Sequence, residues 1–179
     1  PQSLQSRKDL AIAAVNMANS GPLGVGLNNF GLKVNPPYEY ALHIDRTKYF
    51  YKEGIVETVY LLIAAETGWF NLLIFLWWLL SFYGRNLLNI IRYRGETLQY
   101  AAIAMAGALT GVYIESVLEW VLKQTSNFYQ LMILFALISA MMIAWRDKDR
   151  ERRRLAREKK QQEQEAVAAA EAETVESPA

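Results

Sequence analysis

The chain has 179 residues, 19 basic and 18 acidic side chains, no cysteine, a single histidine and a mean hydropathy of +0.03. The missing cysteines exclude a disulfide scaffold, a thiol nucleophile and a cysteine-ligated metal, and the lone His43 excludes a histidine-rich metal site. A net charge of +1 gives no argument for nucleic acid as a partner. The chain begins at Pro1 and shows no secretory signal peptide, so we expect a piece of a longer protein or a processed product.

These averages hide an uneven distribution of charge. Residues 1–58 hold 11 charged side chains, residues 59–145 hold 8, and residues 146–179 hold 18. We therefore treat the chain as three segments: an outer segment at 1–58, a membrane block at 59–145 and a polar tail at 146–179.

The outer segment is expected to contain a helix, a glycine-rich turn and an aromatic loop. The helix is predicted to start at Ser6-Arg7-Lys8-Asp9, because a hydroxyl followed three residues later by an acid is typical of a helix start. It is predicted to end before Gly21-Pro22, and its apolar face either lies on the membrane or packs on other helices. The loop over residues 33–53 is basic and aromatic. It either meets lipid headgroups, phosphate or sugar, or is an interfacial loop anchored by tyrosines.

The membrane block contains three long apolar runs, at about 59–83, 97–122 and 126–145. A helix needs ~20 apolar residues to cross a bilayer, and runs of ~18 or more favour a membrane over the buried helices of a soluble bundle. Aromatic residues near the ends of the runs fit interfacial belts. The sequence therefore predicts an all-α, multi-pass protein with three membrane helices.

Basic residues predict how these helices are oriented. The connection between the first two apolar runs, residues 84–96, carries Arg85, Arg92 and Arg94, and nine basic residues follow Trp145. Cytoplasmic segments are enriched in Lys and Arg, so the connection and the tail are placed inside and the outer segment outside. The tail is expected to leave the membrane as a helix, to attract anionic lipids through its basic part and to become partly disordered.

Charged residues inside the apolar runs are candidates for special roles. Glu66 lies about two turns into the first run, where an ionisable side chain faces a bundle interior or a wet cavity, and Gly68 would let a neighbouring helix approach. Glu115, Glu119 and Lys123 are spaced for an i,i+4 ladder on one helix face. A supporting role at an outer-face site is the alternative for these three.

Three segments then follow in order: the helix with Arg7 that ends at Gly21-Pro22, residues 24–30 (GVGLNNF), and residues 60–70 (YLLIAAETGWF). Over residues 4–145 this order and spacing resembles the C-terminal half of the O-antigen ligase and O-antigen polymerase family, which are bacterial inner-membrane glycosyltransferases. The resemblance implies that a motif of structural residues is shared with the family: Gly24, Gly26, Phe30, Glu66 and Gly68.

The resemblance also implies a reaction. A glycan on a polyprenyl diphosphate is transferred to a hydroxyl of lipid A-core or of another glycan, without metal or cofactor, among membrane lipids and without nucleic acid. Arg7 matches a family arginine and is assigned to diphosphate or lipid-glycan binding, with contact to lipid headgroups as the alternative. Further candidates for substrate binding are Arg46, Thr58 and Tyr60. For Arg46 the reason is that a guanidinium matches phosphate oxygens.

The chain departs from the family pattern where the family has His-Asn, because Glu57-Thr58 stands there. Three interpretations stay open: Glu57 acts as a carboxylate base, His43 reaches the site from the loop, or the activity is altered. For Glu57 the structural alternative is an acid that complements a helix dipole. For the whole protein, the alternatives are a polymerase of the same family or a non-catalytic protein that binds or transports lipid-linked glycan.

Overall fold

The computed structural model describes residues 4–44 and 54–175, with side chains as far as Glu165. These residues form helices and no strand: α1 (Leu4–Asn19), α2 (Phe30–Lys33), α3 (Val59–Arg92), α4 (Thr97–Leu118), a 3-10 turn (Val121–Lys123) and α5 (Thr125–Val175). Within this part of the chain, α3, α4 and α5 are each long and apolar enough to cross a membrane. The prediction of an all-α multi-pass membrane protein is therefore confirmed.

The described residues up to Ile138 form one compact unit, in which α3 packs against α1 and α4. Aromatic rings of α3 also contact the first part of α5. The ring of Phe82 stacks on that of Phe135, with centroids 3.9 Å apart, and Trp78 meets Phe135 edge-on at 5.1 Å. Aromatic pairs of this kind add to the gain from their contact area.

Helix α3 continues well past residue 83, where the predicted membrane run ends. Two fully buried asparagines lie in this extension, and each donates to a backbone carbonyl of a neighbouring helix, while its Oδ1 accepts no hydrogen bond among the described residues. Asn86 Nδ2 lies 2.8 Å from Ala102 O, and Asn89 Nδ2 lies 3.1 Å from Ile138 O. Buried amides that find acceptors can stay in a helix interior.

Two predicted helix boundaries are wrong. Ser6 does not begin the first helix, because α1 already covers Leu4 and Ser6 is buried within it. The second membrane helix ends at Leu118 and not near residue 122, since Glu119 is extended, with φ −137° and ψ 159°.

Helix α1 packs against the first part of α3, which decides between its two predicted locations in favour of packing. The shared core contains small and aliphatic side chains of α1 together with residues of α2 and α3: Leu10, Ala13, Ala14, Met17, Phe30, Val34, Leu62 and Ala65. Burial of an aliphatic side chain the size of leucine is worth about 1.5–3 kcal/mol. Residues 4–44 thus contribute to the packed core of this unit.

Gly68 interrupts α3, with φ 85° and ψ 165°. An interruption frees carbonyls of the preceding turn from helical hydrogen bonds, and the loop after α1 supplies new donors. Val25 N donates to Ala65 O and Gly26 N donates to Glu66 O, each at 2.9 Å. The glycine-rich loop therefore replaces part of the hydrogen bonding of the broken helix.

The approach of the loop to the break depends on two glycines. A Cβ on Gly68 would collide with the Pro22 carbonyl, and a Cβ on Gly24 would lie 2.9 Å from Gly68 N. Both glycines also have positive φ, which side chains disfavour. Gly68 was expected to admit a neighbouring helix, and the structure shows that it admits the loop.

The tail is helical as far as Val175, although loss of helix was expected within it. Charge pairs one turn apart support it: Asp149 with Arg153 at 2.9 Å and Arg154 with Glu158 at 2.8 Å. Such pairs stabilise exposed helices by a few tenths of a kcal/mol each.

We expect Gly68→Ala to destabilise the protein and Gly84→Ala to leave it unchanged or slightly more stable. The first substitution costs about 1–3 kcal/mol in backbone strain, before the collision with Pro22 is counted. At Gly84, in the same helix, an added Cβ meets no atom within 4 Å. Thermal unfolding in one detergent measures both variants, and equal midpoints would contradict the role of the break.

Candidate functional site

Three charged side chains meet where α3 begins and α4 ends. Arg7 Nε lies 2.6 Å from Glu57 Oε2, and Arg7 Nη2 lies 3.3 Å from Glu119 Oε1. Arg7 belongs to α1, Glu57 precedes α3 and Glu119 follows α4. We call these three residues the Arg7 cluster. It joins two residues that the family resemblance had singled out, Arg7 and Glu57.

Two hydroxyl groups hold the helix ends that carry the cluster. Thr58 Oγ1 donates to Val117 O at 2.8 Å, and Tyr60 OH donates to Tyr113 O at 3.0 Å. Both bonds cross from the start of α3 to the end of α4. The hydroxyl oxygens keep their capacity to accept, and a role of Thr58 and Tyr60 in substrate binding stays a prediction.

The cluster carries one positive and two negative charges, and its carboxylates differ in exposure. The Glu57 side chain is 16% exposed, whereas those of Arg7 and Glu119 are 43% and 44% exposed. Glu57 Oε2 is buried and receives no well-directed hydrogen bond, so its short contact with Arg7 is an ion pair. The contact of Arg7 with Glu119 is longer and more exposed to solvent, so an anion would displace Glu119 from Arg7 more easily than Glu57.

Glu119 is the cluster member that sequence reasoning placed elsewhere. The predicted ladder of Glu115, Glu119 and Lys123 is wrong, because α4 ends at Leu118 and the spacing no longer describes one helix face. The position of Glu119 near the end of an apolar run that is predicted to face outside was the available signal, and it favoured the alternative of a role at an outer-face site.

His43 contacts α1 at another point. Its Nε2 lies 2.9 Å from Asp9 O, and Asp9 follows Arg7 by two residues, which turns it to nearly the opposite side of the helix. The described contacts join Glu57, and not His43, to Arg7. Arg46, the remaining candidate for substrate binding, lies outside the described residues.

The five residues of the predicted structural motif come together at the break in α3. Glu66 is 8% exposed, and its Oε1 accepts a hydrogen bond from Phe30 N at 3.2 Å. The loop containing Gly24 and Gly26 lies on the neighbouring carbonyls, beside Gly68. The Glu66 side chain of α3 thus fixes the first residue of α2 by this hydrogen bond.

A cavity of about 260 Å³ lies next to Glu66. Its walls are mostly apolar and include Leu62, Phe75, Phe128 and Leu131, and its charged residues are Glu66 and Lys123. Val59 also lines it, two residues after Glu57. A cavity with this lining suits part of an alkyl or isoprenoid chain.

Among the described residues, no three side chains suited to a metal ion lie together. Comparison of the chain with protein-family models, curated proteins and solved structures gives no match. Function is therefore inferred from the Arg7 cluster, the cavity and the order of the sequence motifs.

We expect Glu66→Ala to loosen the loop over the break and Glu66→Gln to preserve it. Alanine leaves the buried Phe30 N–H unpaired at a cost of about 1–3 kcal/mol, whereas glutamine retains an acceptor oxygen. Hydrogen exchange at the Phe30 amide measures the effect. Glu115→Ala, at an exposed position of α4, is the matched control, and equal exchange in both alanine variants would contradict the assignment.

Proposed function

We propose that this chain belongs to a bacterial inner-membrane glycosyltransferase of the O-antigen ligase type. It would move a glycan from polyprenyl diphosphate to a hydroxyl of lipid A-core or of another glycan at the outer face. The observation that carries the proposal is the contact between Arg7 and Glu57 at 2.6 Å. The family resemblance assigns these two positions to donor binding and to the base, and a single site needs both.

Arg7 offers the diphosphate a binding group that is only partly occupied. Its Nε faces Glu57, while its Nη2 faces the longer and more exposed contact with Glu119. A guanidinium has five N–H donors and can serve a carboxylate and a phosphate together. In the proposed complex, phosphate oxygens replace Glu119 on Nη2 and Glu57 keeps its place on Nε.

The cavity beside Val59 provides room for the lipid part of the donor. Its apolar walls suit the first isoprene units, and Lys123 provides a second cation for a phosphate. The lipid chain and the diphosphate would then approach the Arg7 cluster from the membrane side.

The transfer requires a base for the acceptor hydroxyl. The hydroxyl oxygen forms a bond to the anomeric carbon while the bond from that carbon to the diphosphate oxygen breaks, and the diphosphate leaves with the electron pair. The proton of the hydroxyl passes to Glu57, through Oε1 and not through Oε2, the oxygen that lies 2.6 Å from Arg7 Nε. Arg7 offsets the negative charge that develops on the leaving group.

The proposed orientation places this chemistry outside. The turn between α3 and α4 follows Arg85 and Arg92 and contains Arg94, and the Arg7 cluster lies at the opposite ends of the same two helices. If the basic turn is cytoplasmic, the cluster faces the outer side. Lipid-linked donor and acceptor would then meet there.

A second candidate is a non-catalytic protein that binds or transports lipid-linked glycan. It is favoured by the charge balance of the Arg7 cluster, in which two carboxylates oppose one guanidinium. It is also favoured by the hydroxyls of Thr58 and Tyr60, which already donate to backbone carbonyls. A polymerase would share the chemistry above and differ in its acceptor.

We expect Glu57→Gln to lower glycan transfer by about 100-fold or more while donor binding persists, because loss of a general base costs roughly 10²–10⁴ in rate. Strains that carry the substitution in the chromosomal gene are assayed for surface polysaccharide, and their membranes for transfer and for binding of the lipid-linked donor.

Glu119→Gln is the matched control, since it removes the other carboxylate that contacts Arg7, and we expect less than about a tenfold change. Unchanged polysaccharide in Glu57→Gln, with donor still bound, would favour the non-catalytic candidate. Loss of transfer in His43→Ala and not in Glu57→Gln would make His43 the base.

The orientation has a separate test that uses the absence of cysteine. We expect Leu4→Cys to react with a membrane-impermeant maleimide on spheroplasts, and Ala179→Cys to react only after permeabilisation, because basic segments stay inside. Reaction of Ala179→Cys on intact spheroplasts would contradict the orientation.

A further inference from the structure

Basic residues of the tail are arranged along one face of α5. Five of them are spaced alternately four and three residues apart: Arg146, Arg150, Arg153, Arg157 and Lys160. At 100° per residue they fall within a sector of about 80°. We call these five residues the basic stripe, and all five are exposed.

The neighbouring charges leave this face positive. Residues 146–160 contain nine basic and four acidic side chains, and the four acids lie outside the stripe. Arg150 and Arg153 each have an acid nearby, at 3.7 Å and 2.9 Å, but both stay more than 70% exposed. Residues 161–179 contain five acids and no basic residue, so the positive face ends at Lys160.

The position of the stripe in the chain indicates its partner. Residues 126–145 carry no charge, so the stripe starts at the first residue after a membrane-spanning run. Clusters of four to eight basic residues at this position bind anionic headgroups. Because the attraction fades over about 8 Å, residues near Lys160 benefit only if α5, a single helix over Thr125–Val175, bends after Trp145 so that the stripe lies along the bilayer. Docking as proposed below therefore includes this bend.

We propose that the basic stripe docks on the anionic phospholipid headgroups of the leaflet in which the run 126–145 ends. The chemistry that it recognises is a surface of phosphate groups, and the neutral remainder of the helix faces water. The acidic residues beyond Lys160 are repelled by the same surface and limit the docked segment to about 21 Å of helix. This inference does not depend on the proposed glycosyltransferase activity.

The test uses the full chain with Gln161→Cys as its only cysteine, labelled with a fluorophore and reconstituted in lipid nanodiscs with a headgroup quencher. Position 161 follows the stripe and lies about 24 Å along the helix from Trp145. Quenching is expected to be strong in phosphatidylglycerol-containing discs, weak in phosphatidylcholine discs and reversed by salt. Equal quenching in both lipids would overturn the proposal.

Two double variants separate the stripe from net charge. Arg153→Gln with Arg157→Gln removes two charges from the stripe, and Arg152→Gln with Lys159→Gln removes two from the opposite side. Each set loses one acid contact, that of Asp149 with Arg153 or that of Glu163 with Lys159. We expect the stripe variant to lower the ratio of docked to free label by roughly 30-fold, and the control by much less.

A third variant separates the effect of losing charge from the effect of losing the helix. Arg153→Lys with Arg157→Lys keeps both charges and is expected to dock like the unmodified stripe. Equal losses in the stripe and control sets would show a solvated charged helix and overturn the proposal.

The two other sources of phosphate are tested in phosphatidylcholine discs by the anisotropy of the label. Inorganic phosphate is expected to leave the anisotropy unchanged, and a single-stranded RNA is expected to change it equally in the stripe and control variants. A stripe-dependent response to RNA or phosphate, without one to phosphatidylglycerol, would identify a different partner and overturn the proposal.

Discussion

The interruption of α3 at Gly68 is the constraint on which the rest of the described outer segment depends. A helix that continued through this position would use the carbonyls of Ala65 and Glu66 itself, and these carbonyls instead accept from Val25 N and Gly26 N at 2.9 Å. The break therefore gives the loop after α1 a fixed place on a membrane helix. Gly24 and Gly68 must lack side chains for the same reason. A Cβ on Gly24 would come too close to the backbone of α3, and a Cβ on Gly68 would come too close to the backbone of the loop.

Several features at the ends of α3 and α4 that carry the Arg7 cluster build on this contact. With the loop in place, the Glu66 carboxylate reaches Phe30 N, and α1 buries Leu10 and Met17 against the first part of α3. Packing of α1 in turn carries Arg7 to the start of α3, where Glu57 and Glu119 meet it. A buried acid in an apolar segment is costly unless it is paired. Glu66 thus has a structural reason to be present, whatever the chemistry nearby.

The Arg7 cluster and the tail show how the surroundings of a charged side chain change the strength of its ion pairs. In the cluster, one guanidinium lies between a largely buried and a partly exposed carboxylate, so the two contacts differ in how readily they exchange. In the tail, exposed arginines have acids one turn away and still present a positive face, because screened surface pairs bind weakly. In the roles that we propose, the cluster exchanges one contact for a ligand, and the tail binds a broad charged surface.

The sequence by itself determined the class of the fold and the rough positions of its membrane helices. Long apolar runs can be read directly, because the cost of exposing polar backbone in a bilayer leaves helices as the solution for such runs. The glycine-rich stretch and the segment around Glu66 could also be recognised as a motif from their order along the chain. The start of α1 and the end of α4 could not, because caps and helix ends depend on contacts distant in sequence.

Only the tertiary structure decided which charged residues meet. Regular spacing suggested that Glu119 pairs along its own helix, but the backbone leaves the helix at that point and the carboxylate reaches Arg7, 112 positions away in sequence. In the same way, the glycine expected to admit a helix admits a loop, and His43 binds α1 at Asp9. Local sequence patterns indicate the burial and periodicity of single elements. Which side chains from three distant segments meet depends on how those elements pack, and spacing along one sequence does not indicate that packing.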